Sequence, residues 1–341
     1  MKIDYFVLNN DSARKAVAIW EASQRNLAVA KHVLVIEDQI VPANSSEVSE
    51  TQQQMWSFAR ENGTEYVYGQ AMASHYLVDN VLQGQELVLS ADKDIMMIGA
   101  VGALGIYVEP EELAEYLISG NIELDLRDEV FVKITGNLSC DVDIRDAARY
   151  LEAQLRDVKK TAIVNFVDAS GTLTVSDKMI ICGYCQKLGV VSARFAANCE
   201  SVDYVIDFYA VEAKLPATAV NTVFIGGAYG GTLEAIKEAA DVLYGKTIAD
   251  KVRLSVAPAS AKIYCEAAAA GYLAAIIDAG GLVLNQCALP PVQARIGAGE
   301  IMLSNDIHAE DGYAGEGGSI YLTSTRAAVK AALKGRIGGE Y

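Results

Sequence analysis

Helix-period segments and short apolar strands take turns along the whole chain. Apolar positions on a helical period in "AVAIWEASQRNLAVA" precede "KHVLVIED", a short apolar run that ends in charge. The same succession recurs in "VSETQQQMWSFARENG" then "TEYVYGQ", "EPEELAEYLISG" then "EVFVKITG", "DIRDAARYLEAQL" then "KTAIVNFV", and "TLEAIKEAADVLYG" then "VRLSVAP". Such alternation, joined by short polar loops, predicts an α/β protein with mostly parallel sheets. Ligands in these folds gather at the carboxyl ends of the strands. Surface connections at "SGNIELDLRDE" and "AVEAKLPATAVN" place domain boundaries near 127 and 216, giving domains 1–127, 128–215 and 216–341. No internal repeat stands out.

Two segments break the apolar pattern in a way that points to chemistry. "LVLSADKDIMMIGAVGALGI" at 87–106 predicts a buried strand running into a glycine-punctuated turn, yet Asp92, Lys93 and Asp94 stand at its mouth. "FIGGAYGGTLEAI" at 224–236 predicts a strand, a glycine turn and a helix start, which would offer backbone N–H groups to an anion. It is not a dinucleotide fingerprint, because the spacing of GxGxxG is absent.

With 28 basic and 44 acidic residues, the net charge of -16 disfavours nucleic acid and anionic membranes as partners. The N-terminus lacks a signal-peptide pattern and no stretch of 18 uninterrupted apolar residues occurs, so a cytoplasmic location is expected. Cysteines in that setting are reduced, so Cys140, Cys182, Cys185, Cys199, Cys265 and Cys287 read as core residues. Cys182 and Cys185 form a CxxC whose apolar flanks at helical spacing favour a buried structural pair over metal or redox chemistry.

The order of segments resembles the aconitase superfamily, especially the separate large subunit of 3-isopropylmalate dehydratase. "ADKDIMMIGAVGALGI" aligns with the family's D-S-H-T, G-A-x-G-A and following strand, and "FIGGAYGGTLEAI" with its I-G-S-C-T-N-G-R. "IEDQIVPAN" is similar to D-H-x-V-P, and "GQAMASHYLVDN" to the G-I-x-H segment. The stretch from "VAPASAKIYCEAA" to "LNQC" resembles the approach to C-G-P-C, and "GAGEIMLSNDIHAEDGYAGEGGSIYLTSTRAAVKAAL" the S-N-R-N segment with its closing strand and helix. The resemblance implies three related α/β domains around a central cleft. It also implies a four-iron four-sulfur cluster held by three cysteines, arginines that grip carboxylates, and a mobile fourth domain that supplies the base.

Position by position, much of that apparatus is absent. The first cluster cysteine matches Ala228; Cys287 stands at the first position of C-G-P-C but Pro290 at the second, and one thiolate cannot hold such a cluster. The iron–sulfur cluster is therefore expected to be absent, with no cofactor or metal in its place. Asp92 keeps the aspartate of D-S-H-T, while Lys93, Asp94 and Ile95 replace the rest; Asp38 is kept and Gln39 replaces histidine; His75 is kept. The S-N-R-N arginine matches Asp306 and the arginine after I-G-S-C-T-N-G matches Thr232, so a tricarboxylate is not the expected substrate.

Candidate catalytic residues are then His75, Asp92, Lys93 and Asp94. Lys93 with Asp94 reads either as an acid/base pair, a partly desolvated lysine tuned by carboxylates, or as a salt bridge filling a disused cleft. Candidate substrate-binding residues are Asp38, Gln39, Gly227, Ala228, Tyr229, Gly230, Cys287, Ser304, Asn305 and His308. Tyr229 could project its hydroxyl into the cleft or pack. His308, Glu310, Asp311 and Glu316 read better as a solvated acidic loop than as a cation site. Two functional classes follow. One is a cluster-free hydro-lyase or isomerase acting on a small carboxylate or carbonyl compound, with Lys93 or His75 as base and the amides of Gly226 to Gly231 holding an enolate. The other is a non-catalytic binding or assembly subunit. The chain ends before any segment resembling the fourth domain, so a small swivel-domain subunit is an expected partner.

Overall fold

The structure is a computed structural model. It describes residues 3–28, 32–121, 124, 126, 128–139, 142–199, 201–211 and 218–337. Cys140 and the domain boundaries expected at 127 and 216 lie outside the described residues.

The chain is α/β, and every pairing within its three larger sheets is parallel. The first sheet contains β1 (Tyr5–Asn9), β2 (Val33–Glu37), β3 (Glu65–Tyr68), β4 (Leu87–Ser90) and β5 (Leu104–Tyr107), in the order β3-β2-β1-β4-β5. The second contains β6 (Asp128–Thr135), β7 (Ala162–Asp168), β8 (Ser192–Phe195) and β9 (Tyr204–Asp207), in the order β8-β7-β6-β9. After the short β10 (Thr218–Ala219), the third contains β11 (Thr222–Ile225), β12 (Arg253–Val256), β13 (Leu282–Val283), β14 (Ile301–Ser304) and β15 (Ser319–Leu322), in the order β13-β12-β11-β14-β15. β16 (Arg336–Ile337) pairs antiparallel with β10.

Each larger sheet starts at an inner strand, grows outward on one side, then crosses to the other. That shared winding is an internal repeat of topology, although no repeat stands out in the sequence. The five helix-then-strand successions legible in the sequence all form, from the helix Asn10–Ala22 before β2 to the helix Leu233–Leu243 before β12.

The described residues fall into two compact units. One comprises 1–68, 73–137 and 148–210 and holds the first two sheets; the other comprises 69–72, 138–147 and 211–341 and holds the third. Strands β4 and β11 are buried at every position because neighbouring elements pack on both faces, which is why they read as unbroken apolar runs. Along β1, Phe6 and Leu8 enter one core cluster with Phe58 and Leu113, whereas Val7 enters another with Leu77 and Ile98. In the third sheet Val223 and Ile225 pack with Ile236 and Val329, while Phe224 faces Met302 and Ile296. The segment after β4 is the 3₁₀ helix Lys93–Val101 rather than an irregular turn, and Asp92 caps it by accepting from the Asp94 N–H at 3.0 Å.

Candidate functional site

In the first sheet β1 lies between β2 and β4, at the point where the strand order changes direction and where open α/β sheets bind ligands. Three polar side chains meet at these carboxyl ends. Asn9 is the last residue of β1, Asp38 follows β2, and Asp92 lies two residues beyond β4. Asn9 Nδ2 donates to Asp92 Oδ2 at 2.7 Å and to Asp38 Oδ2 at 3.5 Å, while its Oδ1 accepts from Ser90 Oγ at 3.2 Å. Ser90 Oγ also accepts from the Asp92 N–H.

Asp38 is 3% exposed. Its Oδ2 also accepts from the N–H of Ala73, the first residue of the helix Ala73–Asn80, at 2.8 Å. Its Oδ1 is buried with no hydrogen-bond partner among the described residues. Burial raises this carboxyl's pKa well above the ordinary aspartate range, and the neighbouring Asp92 and Glu37 charges add to the rise, against the pull of the Ala73 and Asn9 hydrogen bonds. Asp38 is therefore the group here whose neutral form the fold favours.

The charged trio divides. Asp94 is buried, and its Oδ1 accepts from Gln186 Nε2 at 3.0 Å. Lys93 is exposed, with its ammonium 5.2 Å from the centre of the Tyr107 ring. A desolvated lysine is thus not what the fold provides: the first residue of a short helix points its long side chain outward. The Tyr107 hydroxyl is itself pushed up to about 12 by burial and by Glu109. His75 is buried in the helix Ala73–Asn80, two residues beyond the N–H that Asp38 accepts, and Gln39 is half-buried beside Asp38 in sequence.

In the second unit the glycine turn closes on itself. Asn305 Oδ1 accepts from the Gly226 N–H at 3.1 Å, and its Nδ2 donates to the Gly230 carbonyl and to Thr325 Oγ1, each at 3.0 Å. The Gly231 N–H donates to the Gly227 carbonyl, and Thr232 caps the helix Leu233–Leu243. Two of the amides expected to hold an enolate are therefore already used. Gly227 has φ +73°, and a Cβ there would overlap Asp306 Oδ2; a Cβ at Gly230 would overlap Asn305 Oδ1. Only glycine allows the turn to wrap these two side chains so closely. Tyr229 is fully buried, so it packs rather than projecting into an open space. Its ring meets the half-buried His308 edge-on at 5.7 Å.

A buried arginine clamps the same turn. Arg145 Nε donates to the Asn305 carbonyl and Nη2 to the Tyr229 carbonyl, both at 2.6 Å, while Nη1 pairs with Asp143 at 2.8 Å. Ser304 Oγ accepts from the Asp306 N–H at 3.1 Å, and Asp306 Oδ1 accepts from the His308 N–H at 2.9 Å.

The positions matched above to cluster cysteines are Ala228, Cys287 and Pro290. Ala228 offers a methyl group, and the Cys287 thiol is buried and donates to the Ala259 carbonyl at 3.5 Å. Cys287 takes the left-handed conformation, φ +65°, which is costly for a side chain with a Cβ. Among the described residues, no group of three His, Cys, Asp or Glu side chains is placed to hold a metal ion. Glu310, Asp311 and Glu316 are exposed, and Asp311 Oδ1 accepts from the Ile320 N–H at the start of β15. Cys182 and Cys185 are buried, with both thiols raised by desolvation, Cys185 to about 12.

Sequence reasoning missed Asn9, Ser90, Gln186 and Arg145. One signal was available: "SADKD" and "SNDIH" share S-x-D-x-x directly after a buried strand.

A family model described as "Aconitase family (aconitate hydratase)" matches residues 7–207 and 206–335. The chain is 26% identical to the 3-isopropylmalate dehydratase large subunit of Thermococcus kodakarensis, over 94% of this chain and 90% of that one. It is 26% identical to the homoaconitase large subunit of Thermus thermophilus, over 89% and 83%. To the 3-isopropylmalate dehydratase large subunit 1 of Archaeoglobus fulgidus it is 24% identical, over 94% and 85%. With nearly its whole length matched and its strands wound as parallel α/β sheets, the chain belongs to the aconitase family.

Proposed function

We propose that the protein is a hydro-lyase of the aconitase family that works without an iron–sulfur cluster, by acid/base chemistry on a small carboxylate or carbonyl compound. The observation that carries this reading is the Asn9, Asp38 and Asp92 network at the switch point of the first sheet. It places Asp38, whose proton affinity burial raises, in one hydrogen-bonded set with a second carboxyl group, Asp92, and paired carboxyl groups in different environments are how one site runs acid and base steps at one pH. His75, Asp92 and Asp94 are the proposed catalytic groups, with the exposed Lys93 at the mouth of the site. In the first unit Asp38 and Gln39 are proposed substrate-binding residues; in the second unit the turn from Gly227 through Ala228 and Tyr229 to Gly230, Cys287, Ser304, Asn305 and His308 are proposed as such. The three sheets are read as three domains.

The large-subunit names of the relatives support a small-subunit partner for this chain as well, and a metabolic enzyme of that kind fits the cytoplasm. No helix among the described residues is long and apolar enough to cross a membrane. A second reading, a non-catalytic assembly subunit, draws on the filled glycine turn, where Ala228 and Tyr229 are buried.

The test is iron and sulfide analysis on protein purified without oxygen, followed by hydration and dehydration assays on a panel of 2- and 3-hydroxy acids, with and without the small subunit. Colourless, iron-free protein that turns over a member of the panel is the expected outcome. Stoichiometric iron and sulfide would refute the cluster-free reading. Iron-free protein inert on the whole panel with its partner present would favour the assembly subunit.

A further inference from the structure

Two features of Asp38 are unexplained by a structural role alone. A carboxyl group that only caps the helix Ala73–Asn80 needs one oxygen, and Oδ2 does that work by accepting from the Ala73 N–H and from Asn9. The other oxygen, Oδ1, is buried with no partner among the described residues, which is costly wherever nothing compensates it. Because Oδ2 is committed as an acceptor to two N–H groups, it is the carbonyl-like oxygen of the acid, and the proton belongs on Oδ1. The charged groups acting on Asp38 are Asp92, from the loop after β4, and Glu37, the last residue of β2; both disfavour ionisation. Asn9 spans the pair, donating the shorter hydrogen bond to Asp92, so Asp92 is the member held as the anion.

We propose that Asp38 is the proton donor of the site, with Asn9 as the residue that positions it against an ionised Asp92. The inference rests on the hydro-lyase reading and assigns its acid. In the elimination, a base of the site takes a proton from carbon and that C–H electron pair becomes the new double bond. The C–O bond breaks, and the hydroxyl leaves with the Asp38 Oδ1 proton as water. Asp38 is left as a carboxylate and is reprotonated from solvent, while the base returns its own proton. Hydration runs the same steps in reverse.

Infrared spectroscopy of the full-length protein, with its aspartates isotope-labelled, tests this without an activity assay. A protonated-carboxyl band is expected at neutral pH, absent in Asp38→Asn and retained in Asp94→Asn. Its titration midpoint should fall in Asp92→Asn, which removes a repelling charge, and rise in Asn9→Ala, which removes a hydrogen bond to the ionised form. Asp38→Asn keeps an oxygen for the Ala73 N–H, so it should fold and lose roughly 10²–10⁴-fold in turnover. If it does not fold, the midpoint changes in the Asp92 and Asn9 variants still decide the matter. No band at neutral pH, or a band that none of these variants moves, overturns the assignment. Turnover without the band sinks the Asp38 inference alone; the band with an inert protein sinks the hydro-lyase reading alone.

Discussion

Asp92 and Asp306 are structural counterparts in two sheets of the same winding. Each lies two residues beyond a strand that ends in serine, and each donates its N–H to that serine's Oγ, at 3.2 Å for Ser90 and 3.1 Å for Ser304. Each also accepts, through Oδ1, the N–H of the residue two further on, Asp94 at 3.0 Å and His308 at 2.9 Å. What differs is the neighbouring strand. β1 ends in Asn9, whose amide reaches Asp92, whereas β11 runs into Gly226 and Gly227, which wrap Asp306 with backbone. One copy of the device keeps a polar network, and the other is closed by packing.

The difference predicts unequal costs for the same substitution. Ser90→Ala removes an acceptor from the Asp92 N–H and the hydroxyl that orients Asn9, so it should cost about 1–3 kcal/mol of stability. Ser304→Ala removes the single bond to the Asp306 N–H and should cost about 1 kcal/mol. Urea unfolding of the two variants compares them directly, and equal losses would mean that Asn9 is held by other contacts.

Asp38 should leave its mark on the pH dependence of stability. Its proton affinity is higher in the folded than in the unfolded chain, so between the ordinary aspartate range and the raised folded value the native state holds a proton that the unfolded state has lost. The unfolded chain then binds fewer protons, and stability falls as pH rises across that interval, by about 1.4 kcal/mol for each pH unit spanned. Below the ordinary aspartate range the contribution is complete. Asp38→Asn abolishes the titration, so its melting temperature should decline less than the wild type's from mildly acidic to alkaline pH. Parallel curves for the two proteins would contradict a neutral Asp38.

The fold was legible because inner strands such as β4 and β11 are buried at every position and so stand out as plain apolar runs between helix-period segments. The site was legible only in part. Asp38, Asp92 and Asp94 announce themselves as charge at the ends of apolar strands, and the structure brings Asp38 and Asp92 to the same amide. Asn9 gave no such signal, because an asparagine ending a strand looks like any turn residue until its partners, 29 and 83 positions away, are known. Lys93 misled for the opposite reason: adjacency to two aspartates suggested a desolvated cluster, but consecutive residues on a helix point to different sides. Arg145, more than 80 positions from either carbonyl it clamps, is invisible to any local pattern.

Glycine at 227 should be far less replaceable than glycine at 245, although both are left-handed. Gly245 has φ +68° and open space within 4 Å of the position a Cβ would take, so Gly245→Ala carries only the backbone cost of about 1 kcal/mol. Gly227→Ala adds an overlap with Asp306 Oδ2, a buried carboxylate oxygen on a short side chain that cannot swing clear. A loss of about 3 kcal/mol or more is expected from the added overlap, read as a melting-temperature drop several times that of Gly245→Ala. Gly227→Ala with Asp306→Ala should recover most of the difference, because it removes the oxygen that the methyl group meets.

Arg145 should prove irreplaceable by lysine. Its guanidinium satisfies the Asn305 carbonyl, the Tyr229 carbonyl and Asp143 from three nitrogens in one plane, with its side chain 5% exposed. A lysine ammonium is a point donor and cannot reach three acceptors set around a planar fork, so Arg145→Lys should cost about 2–3 kcal/mol. Arg145→Met removes the charge as well and strands Asp143, whose side chain is 17% exposed, for a loss of about 3–5 kcal/mol. Most of that penalty belongs to the stranded carboxylate and the two open carbonyls rather than to lost attraction. Adding Asp143→Asn to Arg145→Met should therefore restore about 1–2 kcal/mol, measurable as a double-mutant cycle in urea. If the two substitutions are simply additive, the arginine acts through the carbonyls alone and Asp143 is a bystander to the clamp.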